Sequence, residues 1–167
     1  LEAELKGKNY QHIIKEEHTM PRSPVLASLL DNPGLLPIDT LHELFDSLPA
    51  VECQDMLGDW RGGCFNTGHR GEAMLEKLGW AGKRFTAVND VNPIMSADAD
   101  DQLVVNDVMG TASLRRVEYR GVVTATMVYD QHPIFDHFRR VSDTELLGVM
   151  DSKGDEMPLY FYLMRAG

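Results

Sequence analysis

The chain has 167 residues, of which 43% are hydrophobic and 25% are charged, and its formal net charge at pH 7 is −10. This size and composition predict one globular domain with a sizeable core, and no apolar run approaches the roughly 18–20 residues that span a bilayer. The negative charge disfavours nonspecific binding to nucleic acids and to anionic membrane surfaces, because both depend on neutralisation of phosphate groups by Lys and Arg.

The N-terminal 19 residues are charged and only weakly periodic, and the first residue is Leu rather than Met. We interpret residues 1–19 as a leader or an expression-derived segment, with Met20 as a candidate natural start. This region lacks the apolar core that marks a secretory signal, so we expect a cytoplasmic protein. Cys53 and Cys64 are accordingly expected to be reduced thiols.

Residues 20–50 are predicted to form a helical N-terminal segment. Prolines punctuate its first half, which therefore does not form one long helix. Between Pro37 and Pro49, apolar residues recur on one face at helical spacing, which predicts an amphipathic helix: Ile38, Leu41, Leu44, Phe45 and Leu48. A second helix is predicted from about Arg70 to Leu78, with Gly79 as its C-terminal stop.

Residues 51–167 are predicted to form a β-rich body, which makes a single globular domain together with residues 38–50. After the second helix come six short segments rich in β-branched or aromatic residues, separated by Gly, Pro, Asp, Asn or Ser: QLVVNDVMG, SLRRVEYRG, VVTATMVYD, PIFDHFRRV, TELLGVMDS and PLYFYLMR. This spacing predicts an antiparallel meander. Neither face of VVTATMVYD is strongly charged, which favours a small barrel partly covered by helices over an open sheet. The basic segment GKRF, residues 82–85, is expected at the surface.

The sequence GDWRG at residues 58–62 matches the G-x-W-x-G signature of a family of bacterial and fungal domains that is named after it. The resemblance continues through TGH, LGW and KRF, up to residue 85. The C-terminal block from YRGVVTATMVYD to DSKG, followed by YFYLMR, resembles the domain of unknown function that is usually fused to this family. The resemblance covers roughly residues 38–166, and the acidic segment between Asn92 and Asp107 does not align with it.

The resemblance implies a mainly β fold, a lipocalin-like antiparallel β-barrel with an N-terminal helical segment and one or two covering helices. It implies no established reaction. In such barrels the tryptophan of G-x-W closes one end, and a basic residue from the last strand often packs across the indole. Trp60 and Arg165 are therefore expected in these structural roles, with Gly58 and Gly62 allowing close backbone approach. Direct contact of Trp60 with a ligand is the alternative.

The most polar cluster of the predicted β-region lies at residues 130–139. Charged groups are rarely buried without a partner, so Asp136, His137 and Arg139 require an explanation. A turn at residues 131–132 would place Met127 opposite Asp136 and Thr126 opposite His137. His137 and Arg139 would then share one face of the strand, and Asp136 would lie on the other.

A histidine beside carboxylates in a lined cavity suits general acid–base chemistry. The candidate catalytic residues are therefore His137, Asp136 and Asp151. The candidate ligand contacts are Arg139, Asp130, Tyr129, Met127 and His69. A purely structural arrangement, in which Asp136 pairs with Arg139 and His137 either hydrogen-bonds across the hairpin or lies at the surface, would account for the same cluster. No local motif indicates a metal site, and no cofactor is expected.

Three functional hypotheses follow. The first is binding of a small, largely hydrophobic molecule in the barrel cavity, with a few polar side chains fixing its orientation. The second is a cofactor-independent isomerase, cyclase or hydrolase that uses His137 and a carboxylate in the barrel. The third is a protein-interaction module with a filled barrel, which makes its contacts through the helix at residues 38–48. The expected partner is a small hydrophobic molecule rather than a nucleic acid or a membrane, and a homodimer is compatible with the sequence.

Overall fold

The computed structural model describes residues 22–32 and 34–167. The predicted leader or expression-derived segment at residues 1–19 and the candidate start at Met20 lie outside these residues. The helices are α1 (Pro24–Leu30), α2 (Ile38–Ser47) and α3 (Arg70–Lys77). The strands are β1 (Gly58–Cys64), β2 (Trp80–Ala87), β3 (Asp90–Ala97), β4 (Leu103–Val105), β5 (Ala112–Tyr119), β6 (Val122–Tyr129), β7 (Ile134–Ser142), β8 (Glu145–Ser152) and β9 (Leu159–Arg165).

Eight of these strands form a closed antiparallel barrel. Their order around the barrel is β2-β1-β9-β8-β7-β6-β5-β3, and pairing between β2 and β3 closes the circle, while β4 pairs only with β3. Closure leaves the eight strands of the barrel without a free edge. The predicted mainly β fold, with an antiparallel barrel and an N-terminal helical segment, is confirmed.

Aromatic and aliphatic side chains fill the barrel interior from the level of Trp60, near the start of β1, to the middle of the barrel. Trp60 is 1% exposed there. Phe138 packs edge-on against Phe85 and Phe161, with ring centroids 6.0 and 5.9 Å apart. This end of the barrel is therefore closed by side chains.

Helices α1 and α2 cover the outside of the barrel wall formed by β7, β8 and β9. Leu41 and Phe45 of α2 are fully buried, and they belong to one apolar cluster with Leu147, Val149 and Tyr160 from the outer faces of the strands. These strands are consequently buried on both faces, which accounts for their nearly continuous hydrophobic sequences. Within the described part of the chain, none of the helices combines the length and the apolar character that a bilayer crossing needs.

The pairing of β6 with β7 determines which polar side chains enter the barrel. Met127 is paired with Asp136 and Thr126 with His137, as predicted from the sequence. Met127 belongs to the interior cluster, so Asp136 points inward with it. Since side chains alternate along a strand, His137 and Arg139 point outward, toward the covering elements.

Candidate functional site

A cavity of about 290 Å³ lies at the end of the barrel opposite Trp60. Its wall is formed by side chains from the ends of the strands, and α3 with the residue before it lies across its opening. The lining is mostly apolar and contains three methionines, whose unbranched side chains adapt to different shapes. The lining residues are His69, Arg70, Gly71, Met74, Leu75, Leu78, Ile94, Met109, Tyr129, Ile134, Met150, Ser152 and Asp155.

His69 fixes the start of α3 at the rim of this cavity. Its Nδ1 accepts a hydrogen bond from the backbone N–H of Gly71 at 2.9 Å, and Glu72 accepts one from the backbone N–H of His69 at 3.1 Å, which completes a capping box. Because Nδ1 is an acceptor, the ring proton is on Nε2, which lies 3.3 Å from a carboxylate oxygen of Asp155. Arg70 pairs with the same carboxylate. The helix that covers the cavity is thus joined to the loop between β8 and β9.

A buried ion pair lies inside the barrel. Lys83 Nζ is 3.0 Å from Asp136 Oδ2, and the two side chains are 3% and 2% exposed. The ammonium also donates to the backbone oxygen of Pro93 at 3.2 Å and lies 5.2 and 5.1 Å from the ring centroids of Trp80 and Phe161. Burial raises the pKa of Asp136, and Lys83 opposes that effect. The pair places two complementary charges in an otherwise apolar interior.

Two further titratable side chains border the barrel interior. Burial raises the pKa of Tyr129 well above its ordinary value, and the charge of Asp136 adds to this effect. Burial likewise raises the pKa of the Cys64 thiol to about 12. Both side chains are therefore protonated at neutral pH, which leaves Tyr129 as a neutral hydroxyl group and Cys64 as an unreactive thiol.

His137 lies outside the barrel wall and does not line the cavity. It is 1% exposed, and its ring stacks on Tyr119 with centroids 4.0 Å apart. Its Nδ1 is hydrogen-bonded to Thr126 Oγ1 at 2.9 Å, and its Nε2 is 3.8 Å from a carboxylate oxygen of Asp151. Burial lowers the pKa of His137 to about 4, against a smaller opposing effect of Asp151, so the ring is neutral at physiological pH.

Arg139 lies on the same outer face as His137, beneath α2. Its guanidinium donates to the backbone oxygens of Phe45 at 3.2 Å and Leu48 at 2.8 Å, and it lies 4.6 Å from the Phe45 ring. These contacts satisfy carbonyls at the C-terminal end of the helix, where a positive charge is favourable. The alternative in which Asp136 pairs with Arg139 is wrong, because positions three apart on a strand point to opposite faces.

The structure separates the remaining predicted site residues. Tyr129 and His69 line the cavity, and Met127 is fully buried in the interior below it. Asp130 is exposed at the β6–β7 turn, where it accepts a hydrogen bond from Thr111 Oγ1 at 2.6 Å. Among residues 22–32 and 34–167, no three His, Cys, Asp or Glu side chains are grouped so as to hold a metal ion.

Lys83 belongs to the segment GKRF, which the sequence predicts at the surface. The expectation is wrong for this residue because side chains along β2 point alternately into and out of the barrel. Lys83 and Phe85 are therefore buried, whereas Arg84 between them points outward and pairs with Asp59. Once the structure shows that Asp136 points inward, the need for a cation from another strand follows, because a buried carboxylate is costly without a partner. The cavity residues of α3 and Asp155 were also missed, since nothing local marks them.

Trp60 and Arg165 have the arrangement that the resemblance implies. The Arg165 guanidinium lies 4.2 Å from the Trp60 ring and donates to two backbone oxygens near the start of β1. The indole N–H donates to the backbone oxygen of Met56 at 2.7 Å. At Gly62 an added Cβ would lie 2.6 Å from the Tyr162 backbone oxygen, and Gly58 has a φ of +119°, so both glycines occupy positions that disfavour a side chain.

Comparisons with known proteins agree with this architecture. A family model described as GXWXG protein matches residues 43–101, and one described as Domain of unknown function (DUF4334) matches residues 110–165. Among solved structures, the chain is similar to the crystal structure of a protein from Thermomonospora curvata, with 40% sequence identity and a TM-score of 0.79. That similarity covers 86% of this chain and 97% of the other. No curated protein matches the chain.

Proposed function

Because the chain belongs to the GXWXG family, with a DUF4334 domain as its C-terminal part, and neither description states an activity, we propose a function from the geometry of the barrel. The protein binds a small, largely hydrophobic molecule in the cavity between α3 and the end of the barrel opposite Trp60. The observation that supports this proposal is the cavity of about 290 Å³ itself, which persists although the other end of the barrel is densely packed.

The size and lining of the cavity restrict the class of ligand. Its volume is near the lower limit of the roughly 300–1,000 Å³ that is usual for small-molecule sites, so the ligand is compact. Leu75, Ile134 and Met150 provide apolar contacts for its body. Tyr129 and the His69–Asp155 pair are among the polar groups along the lining, and they can orient it.

The other two hypotheses have less support. A filled barrel would have no such cavity, so the interaction-module hypothesis must rely on the outer surface alone. Catalysis by His137 and Asp151 stays a prediction, but their position outside the wall does not favour a reaction within the cavity.

Both cysteines are free thiols, which supports a reducing compartment, and we propose the cytoplasm as the site of action.

A pair of tryptophan substitutions tests the binding proposal. Leu75→Trp enlarges a side chain that lines the cavity, whereas Val123→Trp makes the same kind of change at a residue of β6 that is 45% exposed. Binding of methoxynaphthalene, a compact neutral aromatic probe, is measured by isothermal titration calorimetry, with circular dichroism as the control for folding. We expect Leu75→Trp to abolish binding and Val123→Trp to leave it unchanged. Equal binding by the two variants would contradict the proposal.

A further inference from the structure

The buried Lys83–Asp136 pair lies directly below the cavity. Asp136 follows Ile134 as the next inward residue of β7, and it is paired across the strands with Met150 of β8. Ile134 and Met150 both line the cavity. Since inward side chains along neighbouring strands lie next to one another, the pair forms the next layer beneath the cavity floor.

This layer contains polar atoms without a partner. Asp136 Oδ1 and Trp80 Nε1 are buried, and neither has a hydrogen-bond partner within residues 22–32 and 34–167. The Lys83 ammonium has three N–H groups, and its contacts there are Asp136 Oδ2 and the Pro93 backbone oxygen. Buried polar atoms are usually satisfied, so the unpaired Asp136 Oδ1 beside the Lys83 ammonium marks a position where a polar group of a ligand can bind.

We propose that the ligand carries a neutral hydroxyl group, as an alcohol or a phenol, and that this hydroxyl binds at the Lys83–Asp136 pair. The inference rests on the proposed function and deepens it. The hydroxyl donates its proton to Asp136 Oδ1 and accepts a hydrogen bond from the Lys83 ammonium. One oxygen can reach both members of the pair because they are in direct contact.

Charge and hydrogen-bonding capacity disfavour carboxylates, ammonium groups, ethers and ketones at this pair. A ligand carboxylate would pair with Lys83 but would place a second negative charge beside Asp136, and an ammonium would do the reverse beside Lys83. Either ion would also lose its hydration on binding, and the site could not compensate for that cost because the charges of Lys83 and Asp136 already neutralise each other. An ether or a ketone accepts hydrogen bonds but has no proton for Asp136 Oδ1. A hydroxyl does both without adding a charge.

The flexible residue in the floor is Met150. Its unbranched thioether side chain is partly buried and borders the cavity, so it can change rotamer without disturbing a branched neighbour. A ligand that enters under α3 with its hydroxyl first can therefore approach the pair by displacing this side chain.

Three matched probes test the inference in the unaltered protein: a naphthol, the methoxynaphthalene and the naphthalene carboxylate with the same ring position. Dissociation constants are measured by isothermal titration calorimetry at neutral pH. We expect the naphthol to bind about tenfold or more tightly than the methoxynaphthalene, which is the usual effect of a hydrogen bond to a charged group, and the carboxylate to bind most weakly. Equal affinities for the naphthol and the methoxynaphthalene would overturn the hydroxyl inference and leave the proposed function intact. No binding by any of the three would overturn both.

A double substitution shows whether the preference comes from this pair. Lys83→Met or Asp136→Leu alone leaves one buried charge without its partner, whereas Lys83→Met together with Asp136→Leu removes both charges and leaves apolar side chains of similar shape. In the double variant we expect the preference for the naphthol to fall to within about twofold, with the methoxynaphthalene still bound. Asp143→Asn, which changes a carboxylate at the surface whose side chain is 99% exposed, is the control and should retain the full preference. A naphthol preference that persists in the double variant would show that another group binds the hydroxyl.

Discussion

Protonation of His137 is expected to weaken the fold at acidic pH. The ring is buried between Tyr119 and Thr126 in its neutral form, and burial lowers its pKa to about 4 from the ordinary value of 6.5. Between these two pH values the unfolded chain binds a proton that the folded protein does not, so stability is lost as the pH falls from 6.5 toward 4. Asp151 opposes the effect and Arg139 adds to it, but both effects are smaller than that of burial.

Replacement of His137 by Phe removes this titration and retains an aromatic ring against Tyr119. Each unit by which folding lowers the pKa of His137 corresponds to about 1.4 kcal/mol. Between pH 7 and pH 4.5 the free energy of unfolding should therefore fall by about 2 kcal/mol more in the wild-type protein than in His137→Phe. Urea unfolding, monitored by circular dichroism, is measured for both proteins at both pH values. The other titrating groups contribute equally to the two proteins, so their effect cancels when the losses are compared. His132→Phe, at the β6–β7 turn, is the matched control. The same pH dependence in the wild type and in His137→Phe would refute the reasoning.

Two further substitutions test how the barrel interior is packed. In Gly148→Ala, the new methyl group would lie 2.3 Å from two ring atoms of the buried Phe161, so we expect a loss of about 1–3 kcal/mol in urea unfolding; Gly34→Ala, at an exposed position, should change stability by less than about 0.5 kcal/mol. Arg165→Met removes the contact with Trp60 and two hydrogen bonds to backbone oxygens, which should cost about 2 kcal/mol and lower the midpoint of thermal unfolding. An unchanged midpoint would mean that Arg165 does not hold the closed end together.

Local patterns in the sequence were sufficient for several elements. The spacing of apolar residues between Pro37 and Pro49 predicted α2. An α-helix has about 3.6 residues per turn whatever it packs against, so this spacing places the apolar side chains on one face. The turn at residues 131–132 predicted the register of β6 and β7, since a short hairpin connection leaves little freedom of alignment. The β2–β3 hairpin was not predicted. Its strands contain Gly, Lys, Asn and Pro, which are poor strand formers, and only their partners in the closed barrel keep them extended.

The sequence by itself determined that the chain forms an antiparallel barrel and that Asp136 and His137 lie on opposite faces of one strand. Only the tertiary structure decided which of these faces is the inside. Both faces of β7 are buried, one by the barrel interior and the other by its covering elements, so no difference in polarity along the strand marks the inner face. The partner of Asp136 and the cavity above it are likewise formed by residues far apart in the chain. Lys83 meets Asp136 across the barrel, and α3 meets the ends of β6, β7 and β8, because closing the sheet brings them together.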